Sequence, residues 1–146
     1  MTDRVVRVET EEQLADALAI RREVFVEGQD VPEDLEYDDR DEDGETIHFV
    51  AYADGEAVGA ARLVPYDPDT GKVQRVAVRE SVRGEGWGRR LVDAVEAAAR
   101  EAGYDRLVLD AQTHAVEFYE RLGYEVTSDD VFMDAGIPHL SMRKAL

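Results

Sequence analysis

The most constraining stretch of this 146-residue chain is a valine-rich run, Val73–Val78, followed by Arg83-Gly84-Glu85-Gly86-Trp87-Gly88 and an amphipathic segment. The valine run has strand character. After the glycines, Leu91, Val92, Val95, Ala98, Ala99 and Ala102 recur at helical spacing, and Gly103 follows as a C-cap. A strand, a glycine-rich turn and a helix in that order belong to an α/β fold. Three glycines at alternate positions let the backbone turn tightly and approach a bulky anion. The helix they open presents unpaired N–H groups and a positive dipole end, which suits a pyrophosphate. Two common nucleotide loops do not fit. A dinucleotide-binding loop needs glycine where Arg89 stands, and no Gly-x-x-x-x-Gly-Lys-Ser/Thr run exists. The same spacing also fits a glycine-rich turn that binds nothing.

Charge sharpens the choice. The chain has 34 acids against 17 bases, a net charge of −17, yet Arg83, Arg89 and Arg90 cluster around the glycines. An acidic surface repels phosphate backbones, which argues against nucleic-acid binding through a basic patch. Lys72 and Lys144 are the only lysines, and this acid-rich, lysine-poor balance resembles proteins of salt-loving organisms. Cysteine is absent, which removes disulfides, thiolate catalysis and cysteine-ligated zinc. No apolar run approaches the ~18 residues of a membrane span. The first residues lack the apolar core of a signal peptide. The expectation is a soluble cytoplasmic protein that engages neither nucleic acid nor membrane.

The remaining pattern predicts one domain over residues 1–146 with the order β-α-β-β-β-α-β-α-β-β. Residues 4–8 form a strand, and a helix runs from Glu11 to Phe25 with Thr10 as N-cap and Gln13 completing a capping box. Strands 47–53 and 57–64 flank Asp54-Gly55, a hairpin signal. Residues 65–71 form a turn-rich connection to a strand over 72–78. A strand over 106–110, a short helix over 113–122 and strands over 124–127 and 139–143 complete the chain. The prediction is a mixed, twisted sheet flanked by helices.

Residues 30–45 carry ten acids and one base, Arg40. Asp39-x-Asp41-x-Asp43-Gly44 imitates half of a calcium loop, but the glutamate required at position twelve is replaced by Val50. No metal site is expected. A solvated loop is the plainer reading, and a carboxylate-lined groove that attracts a cationic amine is the alternative. His48, His114 and His139 lack metal-ligand spacing.

Arg83-x-x-Gly86-x-Gly88, following Val76-Ala77-Val78, resembles the pyrophosphate loop of the GNAT acetyltransferases. Ala115-Val116-Glu117-Phe118-Tyr119-Glu120-Arg121-Leu122-Gly123-Tyr124 is similar to a second segment of that family. Val24–Gln29 and Ala135–Met142 resemble its ElaA-like branch. The resemblance implies a GNAT-fold domain that moves an acetyl group from acetyl-CoA to an amine of a small molecule or peptide, without metal. It implies that Val76, Ala77 and Val78 pair with the pantetheine arm and that an N–H near Val78 polarises the thioester carbonyl. Arg83, Gly84, Glu85, Gly86, Trp87, Gly88 and Arg89 would hold the pyrophosphate through their backbone. Tyr119 matches the family tyrosine that donates to the departing sulfur. Gln112 stands where members often carry asparagine against the cofactor arm. The base is open among Glu27, Glu36, Asp110, His114 and His139. A homodimer is compatible with the family, and a non-catalytic acyl-CoA sensor would keep the same loop.

Overall fold

The computed structural model describes residues 3–146; Met1 and Thr2, part of the stretch weighed as a leader, lie outside them. The elements are β1 (Arg4–Arg7), α1 (Glu11–Arg21), α2 (Glu33–Glu36), β2 (Ile47–Ala53), β3 (Glu56–Asp67) and β4 (Thr70–Val78). They continue with α3 (Trp87–Glu101), β5 (Arg106–Gln112), α4 (Val116–Arg121), β6 (Glu125–Val126), β7 (Phe132–Asp134) and β8 (Ile137–Ala145). The sheet order is β1-β2-β3-β4-β5-β8-β6, and β7 pairs β8. This is the mixed α/β sheet expected: β4 and β5 run parallel, and the other pairs are antiparallel.

Local chemistry explains most boundaries. Thr10 accepts from the Gln13 amide and the Gln13 side chain accepts from the Thr10 amide, so the capping box forms as read. Asp54 and Gly55 both adopt positive φ, 51° and 83°, the hairpin turn their sequence announces. Among the boundaries that differ, three bear on the architecture. The first helix stays α only to Arg21 and widens into a π-helix over Arg22–Glu27. Residues 65–71 are not a loose connection, because β3 and β4 run through them, and a register shift between Pro65 and Asp67 absorbs the missing proline N–H. A short strand, β7, precedes β8 through Ala135 and Gly136 at φ 52° and 76°.

Each sheet face has its own core. Leu91, Val92, Val95 and Ala99 of α3 meet Phe49, Leu63, Val73, Leu107 and Leu109 on one face. Ala17, Ile20 and Val24 meet Val50, Ala60 and Ala77 on the other. At about 25 cal/mol per Å² of buried apolar surface, these two interfaces supply the main drive to fold.

The acidic segment corrects the sequence reading. Residues 30–45 do not form a solvated loop throughout, because Glu36 and Asp41 point inward onto arginines, while Val31, Leu35 and Glu36 border a cleft. Arg21, fully buried, donates through Nε to Glu36 at 2.7 Å and through its terminal nitrogens to Asp41 at 2.6 and 3.0 Å. Arg62, 1% exposed, donates to Asp38 at 2.7 and 2.9 Å, to Asp41 at 2.9 Å and to the Gln74 amide oxygen. Burial raises the Asp41 carboxyl, but hydrogen bonds from Arg21 and the Asp38 amide, with the charges of Arg21 and Arg62, outweigh it and hold the group at about 2. The segment is thereby fastened against α1, β3 and β4.

Candidate active site

β4 and β5 pair only from Thr70 with Arg106 to Val73 with Leu109. Beyond that point Gln74–Val78 and Asp110–Gln112 run on without pairing each other, and a wedge opens between them. The cause lies in β4. Its register on β3 jumps from Arg62 with Gln74 to Ala60 with Ala77, and Arg75 inside the jump has φ 59°. A bulge of this kind bends its strand and increases the local twist. The strained Arg75 backbone is held from outside, since the side chain donates to the Glu36 and Leu35 carbonyl oxygens at 3.1 and 3.0 Å.

The wedge is a cleft of about 360 Å³. Val76, Ala77, Val78, Arg83, Gln112 and Tyr119 all line it, so six residues drawn from distant parts of the sequence meet there. Gly84, Glu85, Gly86, Trp87, Gly88 and Arg89 do not line its walls; they form the turn into α3 and its first residues. Gly84 and Gly86 adopt φ 83° and 89°, and a Cβ at either would meet nothing within 4 Å. Backbone is therefore laid bare at the head of α3, whose N-cap Gly86 supplies no side-chain cap. The first turn keeps unpaired N–H groups available to an anion.

The other loop residues have separate jobs. A Cβ at Gly88 would come within 3.0 Å of the Phe118 ring, so the missing side chain here also lets α3 pack against Phe118. Trp87 is buried at 4% exposure beneath the Arg90 guanidinium, 4.4 Å from its ring centroid. Arg83 donates through Nε to the Val78 carbonyl oxygen at 3.0 Å, tying the loop to the end of β4.

Tyr119 projects from α4 and is 8% exposed, with Phe118 and Tyr124 edge-on at 5.0 and 5.7 Å. Among the described residues no side chain pairs with its hydroxyl. Burial alone pushes the phenol well above its usual 10, so it stays protonated at any working pH. Gln112 makes a reciprocal amide pair with Gln29 at 2.8 and 3.1 Å. Gln29 follows the π-helix and Gln112 ends β5, so the pair closes the cleft mouth, a contact that sequence reading missed.

The base candidates separate cleanly. Glu27 lies outside the cleft, 3.7 Å from Arg22. Glu36 is engaged by Arg21. Asp110 accepts from Ser141 at 2.9 Å and pairs with Lys72 at 3.0 Å. His114 Nε2 contacts the Gln112 amide oxygen at 2.6 Å. His139 lines the cleft with Nδ1 on the Ile137 carbonyl oxygen at 2.7 Å. Among the described residues no group of three or more metal-ligating side chains gathers, and no helix is long and apolar enough to cross a membrane.

The family Acetyltransferase (GNAT) domain matches residues 5–146. This chain belongs to the GNAT acetyltransferases. It is 43% identical over 141 residues to YjcF of Bacillus subtilis, an uncharacterized N-acetyltransferase, covering 97% of this chain and 99% of that one. It is 33% identical over 136 residues to ElaA of Escherichia coli, covering 90% and 87% of the two chains. Among solved structures it resembles an acyl-CoA N-acyltransferase from Pseudomonas aeruginosa, with TM-score 0.84, 31% identity and 99% of both chains covered. The splayed strands and uncapped α3 thus sit in a GNAT acetyltransferase.

Proposed function

We propose that residues 1–146 form one catalytic domain that moves an acetyl group from acetyl-CoA to a primary amine of a small molecule or peptide. One observation carries the reading: the free edge of β4 past the bulge lies in the same cleft as the unpaired Tyr119 phenol. Val76, Ala77 and Val78 offer that edge to the amides of the pantetheine arm. Arg83, Gly84, Glu85, Gly86, Trp87, Gly88 and Arg89 turn their backbone N–H groups, with the α3 dipole, toward the pyrophosphate. The open space before Gly84 and Gly86 fits that group.

Tyr119 donates a hydrogen bond to the departing sulfur. Reference values of about 10 for a phenol and 8.5 for a thiol are close enough for a hydrogen bond to stabilise the developing thiolate. Such a donor acts mainly as thiolate charge develops, which is where stabilisation accelerates the reaction.

The test is release of free CoA thiol from acetyl-CoA across a panel of amines, run in molar KCl to suit the acidic surface. Amine-dependent release is the expected result. Tight acetyl-CoA binding without release for any amine would favour a sensor module.

A further inference from the structure

We infer that His139 is the general base of this site, taking a proton from the acceptor ammonium; this rests on the acetyl-transfer reading above. The ring's protonation pattern follows from one contact. His139 Nδ1 lies 2.7 Å from the Ile137 carbonyl oxygen, which can only accept, so Nδ1 carries the hydrogen. The neutral ring then holds its lone pair on Nε2.

The fold locks this ring in place. His139 is 8% exposed and stacks on Phe132, with centroids 5.9 Å apart and 24° between the planes. On β8 it sits opposite Gln112, at the end of β5 where the cleft opens. Nε2 has no hydrogen-bond partner among the described residues, yet unlike both His48 nitrogens it is not fully buried. A buried ring in the cleft lining, with one nitrogen fixed and the other unpartnered, is poised to accept a proton.

Most charged groups around it are otherwise occupied. From β4, Lys72 pairs with Asp110 of β5, and Arg75 holds the Glu36 carbonyl. Arg83 holds the Val78 carbonyl oxygen, and Glu36 is engaged by Arg21. Asp134, across the β7–β8 hairpin, also lines the cleft but is exposed to solvent, and His114 has its Nε2 on Gln112.

The steps balance. R–NH3⁺ gives one proton to His139 Nε2 and becomes R–NH2. Its lone pair attacks the thioester carbonyl carbon, the C–N bond forms, and collapse breaks the C–S bond with the electron pair leaving on sulfur. The adduct nitrogen loses a second proton, and Tyr119 passes one proton to sulfur while regaining that one through water. The products are amide, CoA thiol and an imidazolium that returns its proton to solvent.

The experiment measures kcat/KM against pH for acetyl-CoA with phenethylamine, spermidine and glucosamine, in wild type, H139Q and H114Q. Wild type should show an acidic limb, losing kcat/KM on the acid side as its base becomes protonated. H139Q should lose that limb and at least ~10² in rate, with unchanged acetyl-CoA affinity and partial rescue by added imidazole. H114Q should keep the limb. Turnover in H139Q with the limb and rate intact overturns the role of His139 and leaves acetyl transfer standing. No turnover of any amine by wild type counts against acetyl transfer itself. Should H139Q fail to fold, nitrogen NMR of the wild-type imidazole decides: an Nδ1-protonated ring supports the role, and an Nε2-protonated ring overturns it.

Discussion

The Arg75 guanidinium donates to the Glu36 carbonyl oxygen at 3.1 Å while the Arg75 backbone sits at φ 59°. One residue thus makes the bulge that parts β4 from β5 and anchors the acidic segment beside it. Arg75→Ala removes the anchor and leaves a β-carbon in a left-handed conformation. Arg75→Gly removes the same anchor without that strain, which is worth about 1 kcal/mol. Both variants should bind acetyl-CoA more weakly than wild type, and the alanine variant should be the less stable by about that margin in urea unfolding. Equal stability of the two would mean the backbone relaxes there.

Asp41 lies between Arg21 and Arg62, so its loss leaves two buried guanidinium groups short of countercharge. Removing one partner of such a buried set typically costs about 3–5 kcal/mol. Asp41→Asn should approach that cost, whereas the exposed Asp39→Asn should stay within about 0.5 kcal/mol. The pH dependence follows the same residues. Asp41 is held at about 2, below its unfolded value, so its contribution is present above ~3.9 and is lost as pH falls toward 2. Burial also lowers His48, so its contribution is present above about 6.5 and shrinks as pH falls below that value. Melting temperature should therefore begin to drop on the acid side of neutrality and drop again below pH 4. An acid-insensitive melt from pH 7 to 3 would contradict the network.

The two kinds of loop glycine should respond differently. Gly86→Asp places a carboxylate and a strained backbone at the head of α3, and acetyl-CoA binding should vanish in calorimetry while circular dichroism is retained. Gly88→Ala drives a methyl group to 3.0 Å from Phe118, so it should lower the melting temperature more than it weakens binding. Exchange of these two phenotypes would reassign the loop.

Salt provides an independent handle. With a net charge of −17, self-repulsion is unscreened at low ionic strength, and the Debye length falls from about 10 Å at 0.1 M to about 3 Å at 1 M. The melting temperature should climb across that range of KCl. A flat or falling trend would count against a salt-adapted surface.

Much of this architecture is legible in the chain itself, because local signals and tertiary packing agree. Thr10 with Gln13, Asp54 with Gly55 and the α3 stripe each point to the element they form. The acidic segment misleads for a physical reason: sequence shows the charge of Glu36 and Asp41 but not that Arg21 and Arg62 meet them in the core. Arg21 falls on the apolar face of its helix, which is the one local hint of a buried cation. The Gln29–Gln112 pair joins residues 83 apart and leaves no periodic trace. Spacing marks Gly88 as part of the loop but cannot reveal that Phe118 lies against it. His139 stands out only when its Nδ1 contact shows which nitrogen is free.

The most direct measurement is the steady-state kinetics of Tyr119→Phe beside its binding and stability. Phenylalanine keeps the ring that Phe118 and Tyr124 meet edge-on and deletes only the hydroxyl. Loss of one positioned proton donor typically costs about 10²–10⁴-fold in rate. The account predicts a kcat at least ~10² lower, with acetyl-CoA affinity and melting temperature close to wild type. A kcat within a few-fold of wild type, whatever happens to the melting temperature, would contradict it, because the sulfur would then take its proton from water or another side chain.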